Sequence, residues 1–213
     1  MTDPAPPLPA RERGDAVRQA LLAVAHDLLA SEGPGALTVR RIATEAGMST
    51  MNLYSRFGGK EGVVDELYID GFRRLAASMS ATVPDVDPLE DLRMCGEQYR
   101  RFAQENPTYY TLMFDAPIPD FEPSDAAKEV ALGALDRVAQ RVQRAIDAGL
   151  IAGVDAFHVA TGLWACEHGL VSLEMKMSDA DHPFDWDHVS PATVDALVRG
   201  LAACTPPAVD EPT

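Results

Sequence analysis

"AGMSTMNLYSRFGGKEGV", residues Ala46 to Val63, is the stretch on which the fold turns. Gly47 stands where a tight turn between two helices needs a positive φ. Ser49 is placed to cap the second helix, which runs to about Phe57 before Gly58-Gly59 breaks it. At about 100° per residue, Leu53 and Phe57 lie together and face a core, with Thr50 beside them. Met51, Asn52 and Ser55 point away, and Tyr54 lies on the flank. Two short helices on a glycine turn, the second polar on one side, form a helix-turn-helix signature.

Helix signals continue in both directions. Upstream, Thr38 caps a short helix through Ala46, with Val39, Ile42 and Ala43 facing inward. Before it, Asp15 to Ala30 repeats apolar residues at three and four (Leu21, Val24, Ala25, Leu28), and "SEGPG" ends that run. Downstream, Lys60 to about Ser80 carries a stripe of Val63, Val64, Leu67, Tyr68, Phe72, Leu75 and Met79. "VPDVDP" (Val83 to Pro88) divides these four helices from the rest. A helix from Leu89 to Glu105 stops before Pro107, "TYYTLMF" makes a short apolar turn, and Ala116 to Pro123 reads as a loop. Ser124 caps a helix through Ala148, ended at Gly149, and Asp155 caps another to about Met177. "SDADHPFDWDH" is an acidic loop, and Ser190 with Pro191 at the first helical position starts a last helix to Ala203. No β alternation is convincing, so the class is all-α, with about nine helices.

The chain of 213 residues carries a formal net charge of −15, which alone argues against nucleic acid. The distribution of that charge argues the other way. Arg11 to Leu75 holds nine basic and nine acidic residues, so the whole deficit lies elsewhere. Between Thr38 and Lys60, Arg40, Arg41, Arg56 and Lys60 face Glu45 alone, and phosphate contacts depend on local charge. Asn52 can pair with adenine, and Met51 can lie on a thymine methyl. Thr38, Arg40, Tyr54 and Lys60 flank them as phosphate contacts, and Ser49, Thr50 and Ser55 complete the DNA-facing set. Three widely spaced cysteines (Cys95, Cys166, Cys204) give no disulfide framework or zinc spacing and fit a reducing cytoplasm. No stretch is apolar for long enough to span a membrane, and the Pro-rich start is not a signal peptide.

"LTVRRIATEAGMSTMNLYSRFGGKEGVVDELY" (Leu37 to Tyr68) resembles the DNA-binding domain of tetracycline-repressor-type (TetR family) regulators. The shared features are a Thr opening the second helix, the "IA..AG.S" core, the "LY..F" recognition helix and the Lys opening the fourth helix. Many members carry a Gly where this chain has Met51. "LWACEHGLVSLEM" (Leu163 to Met175) and "NPTYYTLMFDAP" (Asn106 to Pro117) resemble the Trp-His-Gly branch of that family. The resemblance implies a homeodomain-like three-helix DNA-binding domain over residues 11–62. An effector-binding and dimerisation bundle would cover 63–204, between an N-terminal arm (1–10) and a tail (205–213) expected to be disordered. It also implies a homodimer, a DNA operator and a small-molecule effector, and it calls for no cofactor.

Other constellations read more simply. Adjacent helical residues point about 100° apart, so Cys166-Glu167-His168 is not by itself a catalytic pair. His158, Asp155 and His168 share no single helix turn, so no metal site is expected. Trp164 and His168 share a face, either as core packing or as a pocket wall. An effector cavity is expected among the helices from Leu89, Thr108, Ser124 and Asp155. Tyr99, Phe102, Tyr110, Met113, Phe114, Trp164 and His168 would line it and suit a small, largely apolar ligand. A different class of reading is a helical enzyme or carrier whose N-terminal hairpin binds protein.

Overall fold

The computed structural model describes residues 10–79, 86–152, 155–177 and 183–203. The expected N-terminal arm and C-terminal tail lie outside these residues, except for Ala10 at the start of the first helix. So do Cys204, the first half of the "VPDVDP" divider and the start of the acidic loop. Among the described residues there are nine α-helices, one short 3-10 helix and no strand. The helices are α1 (Ala10–Glu32), α2 (Val39–Glu45), α3 (Thr50–Phe57), α4 (Lys60–Ser78), α5 (Pro88–Glu105), α6 (Pro107–Phe114), α7 (Asp125–Asp147), α8 (Ala156–Lys176) and α9 (Trp186–Ala203).

Local chemistry sets most boundaries. Thr38 Oγ1 accepts from the Arg41 amide at 3.2 Å, and Ser49 Oγ accepts from the Asn52 amide at 3.4 Å. Gly47 (φ 65) makes the turn between α2 and α3, and Gly58 (φ 74) closes α3 in the left-handed region. Two readings need correction. "TYYTLMF" is a two-turn helix opened by Pro107, not a lone turn. The last helix starts at Trp186, not at Ser190. Asp185 caps it, accepting from the His188 amide at 3.2 Å, so Pro191 lies inside the helix.

Contacts gather the chain into two compact units, one made of residues up to Gly71 with Thr108–Ala127, the other of Phe72–Pro107 with Lys128 onward. In the first unit, α1, α2 and α3 pack around Leu21, Ala25, Leu37, Ile42 and Leu53. Gly62 lets the start of α4 pass against the end of α3. A Cβ there would stand 1.8 Å from the Phe57 carbonyl oxygen. The segment after Thr108 is tied to α4 by polar bonds. Tyr109 Oη donates to Asp70 at 2.6 Å, and the Ser124 amide and hydroxyl donate to Asp65 at 2.8 and 2.7 Å. Tyr109 also stacks on His26 of α1, with ring centroids 4.7 Å apart.

In the second unit, α5, α8 and α9 pack on one another, and Leu92, Val142, Ile151, Ala160, Val194 and Val198 form a continuous core with α7. One charged cluster is buried there. Asp91, 3% exposed, pairs with Arg141 at 3.0 Å and with Arg144, while Arg141 also donates to the Met79 carbonyl. Every charge in that cluster meets its opposite, which is what a buried charge requires.

The Gly62 contact is backbone against a would-be Cβ, so no rotamer change relieves it. Gly62→Ala should cost about 1–3 kcal/mol in urea unfolding. Gly14→Ala, in α1 with nothing within 4 Å of the added Cβ, should be neutral or stabilising.

Candidate nucleic-acid interface and effector site

In α3, Leu53 is fully buried and Phe57 nearly so, with the guanidinium of Arg18 4.9 Å over the Phe57 ring. The opposite face carries Met51 at 72% and Tyr54 at 53% exposure, beside exposed Thr50 and Ser55. Thr50 therefore belongs with the exposed set and not beside the core. Met51 is thereby available to a partner outside the fold. Ser49, Thr38 and Arg40 are exposed too, and Lys60 is half-buried at the start of α4.

Two of the four basic residues counted on this stretch are already engaged. Arg41 forks onto Glu32 with bonds of 2.7 and 2.5 Å. Arg56 donates to the Asn52 backbone carbonyl at 3.2 Å and to its side-chain Oδ1 at 3.1 Å. Asn52 in turn donates from Nδ2 to Ser49 Oγ at 3.3 Å. The amide assigned to base reading is thus held in a Ser49–Asn52–Arg56 chain, and any adenine contact must compete with it. The sequence counts Arg56 only as local positive charge, and its spacing of four from Asn52 is the signal for this bond.

The expected effector residues fall in both units. Tyr110, Met113 and Phe114 lie in the first, where Tyr110 is 1% exposed and its ring centroid is 5.0 Å from that of Phe114. Tyr99, Phe102, Trp164 and His168 lie in the second. Tyr99 Oη and His168 Nδ1 share a hydrogen bond of 3.0 Å, and the rings of Trp164 and His168 stand 5.8 Å apart. Phe102 is core. Trp164 is partly exposed and, with Tyr99, lines an apolar hollow between α5, α7 and α8.

In the Cys166-Glu167-His168 run, the imidazole and the carboxyl already have partners in the fold. The His168 nitrogen is taken by Tyr99, and burial raises the Cys166 thiol, with Glu167 adding to it. Cys95 is pushed up to about 11, chiefly by burial. Glu167 is the unexpected residue here. It is 4% exposed, and burial pushes its carboxyl up to about 7 against the opposing Ser190 hydrogen bond. Among the described residues no group of three or more His, Cys, Asp and Glu could hold a metal, and no helix is long and apolar enough to cross a membrane.

Residues 92–201 match the tetracyclin repressor-like C-terminal domain, and residues 21–67 match the tetR family of bacterial regulatory proteins. The chain belongs to the tetR family. Its helix-turn-helix is that of a DNA-binding transcription regulator. A protein of unknown function from Rhodococcus sp. RHA1 is 28% identical with a TM-score of 0.75, over 87% of this chain and 95% of that one. The tetR-family transcriptional regulator PfmR from Thermus thermophilus is 22% identical with a TM-score of 0.62, over 85% and 98%. The fatty acid degradation regulator FadR from Bacillus halodurans is 17% identical with a TM-score of 0.66, over 87% and 94%. The last two likenesses are of fold alone. No curated protein matches the sequence.

Substitutions on the recognition helix of this tetR-family chain should separate phosphate contacts from base contacts. Tyr54→Phe and Lys60→Ala should weaken binding to all DNA sequences alike, whereas Met51→Ala should change preference at one or two base pairs for about 1–3 kcal/mol. Selection from randomised DNA distinguishes the two patterns. Glu167 gives a pH-dependent expectation. Its proton is held in the fold up to about pH 7 but lost near 4.5 in the unfolded chain. Stability it provides below pH 4.5 is therefore lost as pH rises to 7. Glu167→Gln should match wild type near pH 4.5 and exceed it by about 3 kcal/mol at pH 8, read from urea midpoints at both values.

Proposed function

We propose that this regulator is a repressor that binds a pseudo-palindromic operator as a homodimer and is released by a small, largely apolar ligand. The observation that carries the DNA reading is the two-sided character of α3. Leu53 and Phe57 are buried while Met51 and Tyr54 stand out. A helix anchored on one face and bare on the other suits insertion into a major groove, with Met51 and Asn52 at base edges. Ser49, Thr50, Ser55, Thr38, Arg40, Tyr54 and Lys60 would meet the backbone. Residues 11–62 are the reading head, and residues 63–204 are the effector and dimerisation part, working in the cytoplasm where the operator lies.

The dimer reading rests on apolar surface. Phe157 is 43% exposed on α8, and an open hollow of about 520 Å³ between α8 and α9 is walled by Leu163, Leu197 and Leu201. Such surface is what a second copy covers in a two-fold interface. Two recognition helices would then reach successive grooves about 34–36 Å apart. Trp164, His168 and Tyr99, all in the second unit, are assigned to the ligand. A coupling of about 1–3 kcal/mol between ligand and DNA is enough for a switch.

A gel shift on the DNA flanking the coding region tests the operator, and a chain that retards none of it is not this repressor. Light scattering at micromolar concentration should report a dimer, and Phe157→Asp with Leu197→Asp should give a folded monomer. A monomeric wild type removes the half-site argument.

A further inference from the structure

Glu167 lies on the core face of α8, and only one of its oxygens is met. Ser190 Oγ donates to Oε1 at 3.2 Å, and Oε2, buried, has no hydrogen-bond partner. An unmet acceptor held away from water costs free energy that a donor would return. The residue is part of the wall of two hollows. The larger, about 420 Å³, is polar and is lined by Glu97, Arg100, Arg101 and Ser190 among others. The smaller, about 40 Å³, is apolar and lies among Leu92, Gly96, Tyr99 and Trp164. Gly96 keeps the space beside Oε2 open, since a Cβ there would stand 3.7 Å from that oxygen and 3.4 Å from Val194 Cγ1.

The charges around the larger hollow do not balance. Arg93 is held by Asp195 and Glu90, and Arg100 by Glu174 and Asp187. Among the described residues no ion pair reaches Glu97 or Glu167, and both line the hollow with Arg101. Around Glu167, α5 presents Cys95, Glu97, Arg93, Arg100 and Arg101; α8 presents Glu174, with Cys166 and His168 next in sequence; α9 presents Asp187 and Asp195. Burial raises the Glu167 carboxyl most, Ser190 and Arg100 pull it back, and Glu174 and Glu97 raise it further. Three arginines (Arg93, Arg100, Arg101) thus stand among six carboxylates (Glu90, Glu97, Glu167, Glu174, Asp187, Asp195), and the site is acidic on balance.

We propose that Glu167 is the polar anchor of the effector site and that the effector is an organic amine. Its ammonium donates to Oε2, and its apolar body lies along Pro191 and Val194 in the larger hollow, with no more than a methyl-sized part among Trp164, Leu92 and Tyr99. This rests on the reading of the protein as ligand-controlled. A neutral donor would meet Oε2 but leave the facing carboxylates uncompensated, and a carboxylate ligand would add a further negative charge.

The test uses the full chain with hexylammonium, hexanoate and 1-hexanol, read by melting temperature and tryptophan fluorescence at pH 6 and pH 8. Hexylammonium should bind, and its matched acid and alcohol should not at the same concentration. Its affinity should rise about tenfold from pH 6 to pH 8, following the ionised fraction of a group titrating near 7. Glu167→Gln should cut affinity about tenfold or more and abolish the pH dependence. Gly96→Ala keeps the carboxyl, narrows the approach and should weaken binding about threefold; it decides the matter if Glu167→Gln does not fold. Equal binding of hexanoate or hexanol, no response to hexylammonium, or pH-independent amine binding untouched by Gly96→Ala overturns the anchor. Release of operator DNA by hexanol but not by the amine overturns the anchor alone, whereas a chain that binds no operator overturns the regulator reading beneath it.

Discussion

The DNA-facing surface depends on a contact made possible by a missing side chain. At Gly62 the first turn of α4 comes so close to the Phe57 carbonyl that only hydrogen fits between them. Gly58, in the left-handed region, makes the sharp exit from α3 that this approach requires. With the end of α3 pinned there and Leu53 and Phe57 sunk in the core, the rotation of α3 about its axis is fixed. Met51 and Tyr54 are then outward by geometry, not by preference. A longer or looser connection would leave the same residues on the helix without fixing where they point.

The second unit treats two buried carboxyls in opposite ways. Asp91 is closed, meeting Arg141 and Arg144, with Arg141 also holding the Met79 carbonyl. Such a cluster favours one arrangement of α5, α7 and the end of α4 over alternatives that separate the charges. Glu167 is similarly buried but has one hydroxyl partner and like charges nearby. A group kept near neutrality of charge by its surroundings changes state for a small change in those surroundings, which a fully paired group does not.

The reading head was the most legible part because its boundaries are local chemistry. Thr38, Ser49 and Gly47 act on residues within three or four of themselves, and a sequence displays that directly. The start of α9 was misread because Pro191 carries a strong helix-start signal, while Asp185 caps six residues earlier. The availability of the basic residues was hidden for a different reason. Arg41 meets Glu32, nine positions away across a turn, and a charge count has no geometry. Glu167 could have been noticed: it stands four residues after Leu163 and four before Val171, a carboxyl in apolar register. The grouping of Thr108–Ala127 with the N-terminal helices was not legible, since it rests on contacts far apart in the chain, such as Tyr109 with His26 and Asp70.

That grouping bears on how the protein can be recombined. Swapping reading heads between regulators is ordinarily planned as a single cut near the end of the helix-turn-helix. Here such a cut divides one compact unit: Tyr109 and Ser124 keep Asp70 and Asp65 on the C-terminal side, but Tyr109 is parted from His26. A donor head grafted at residue 62 onto this chain would lack a partner selected for Tyr109 on its first helix, where His26 stands now. A workable chimaera needs two transplanted pieces, the N-terminal helices through Gly71 and the discontinuous Thr108–Ala127 segment. The unit of exchange in this protein is set by contact and not by position along the chain.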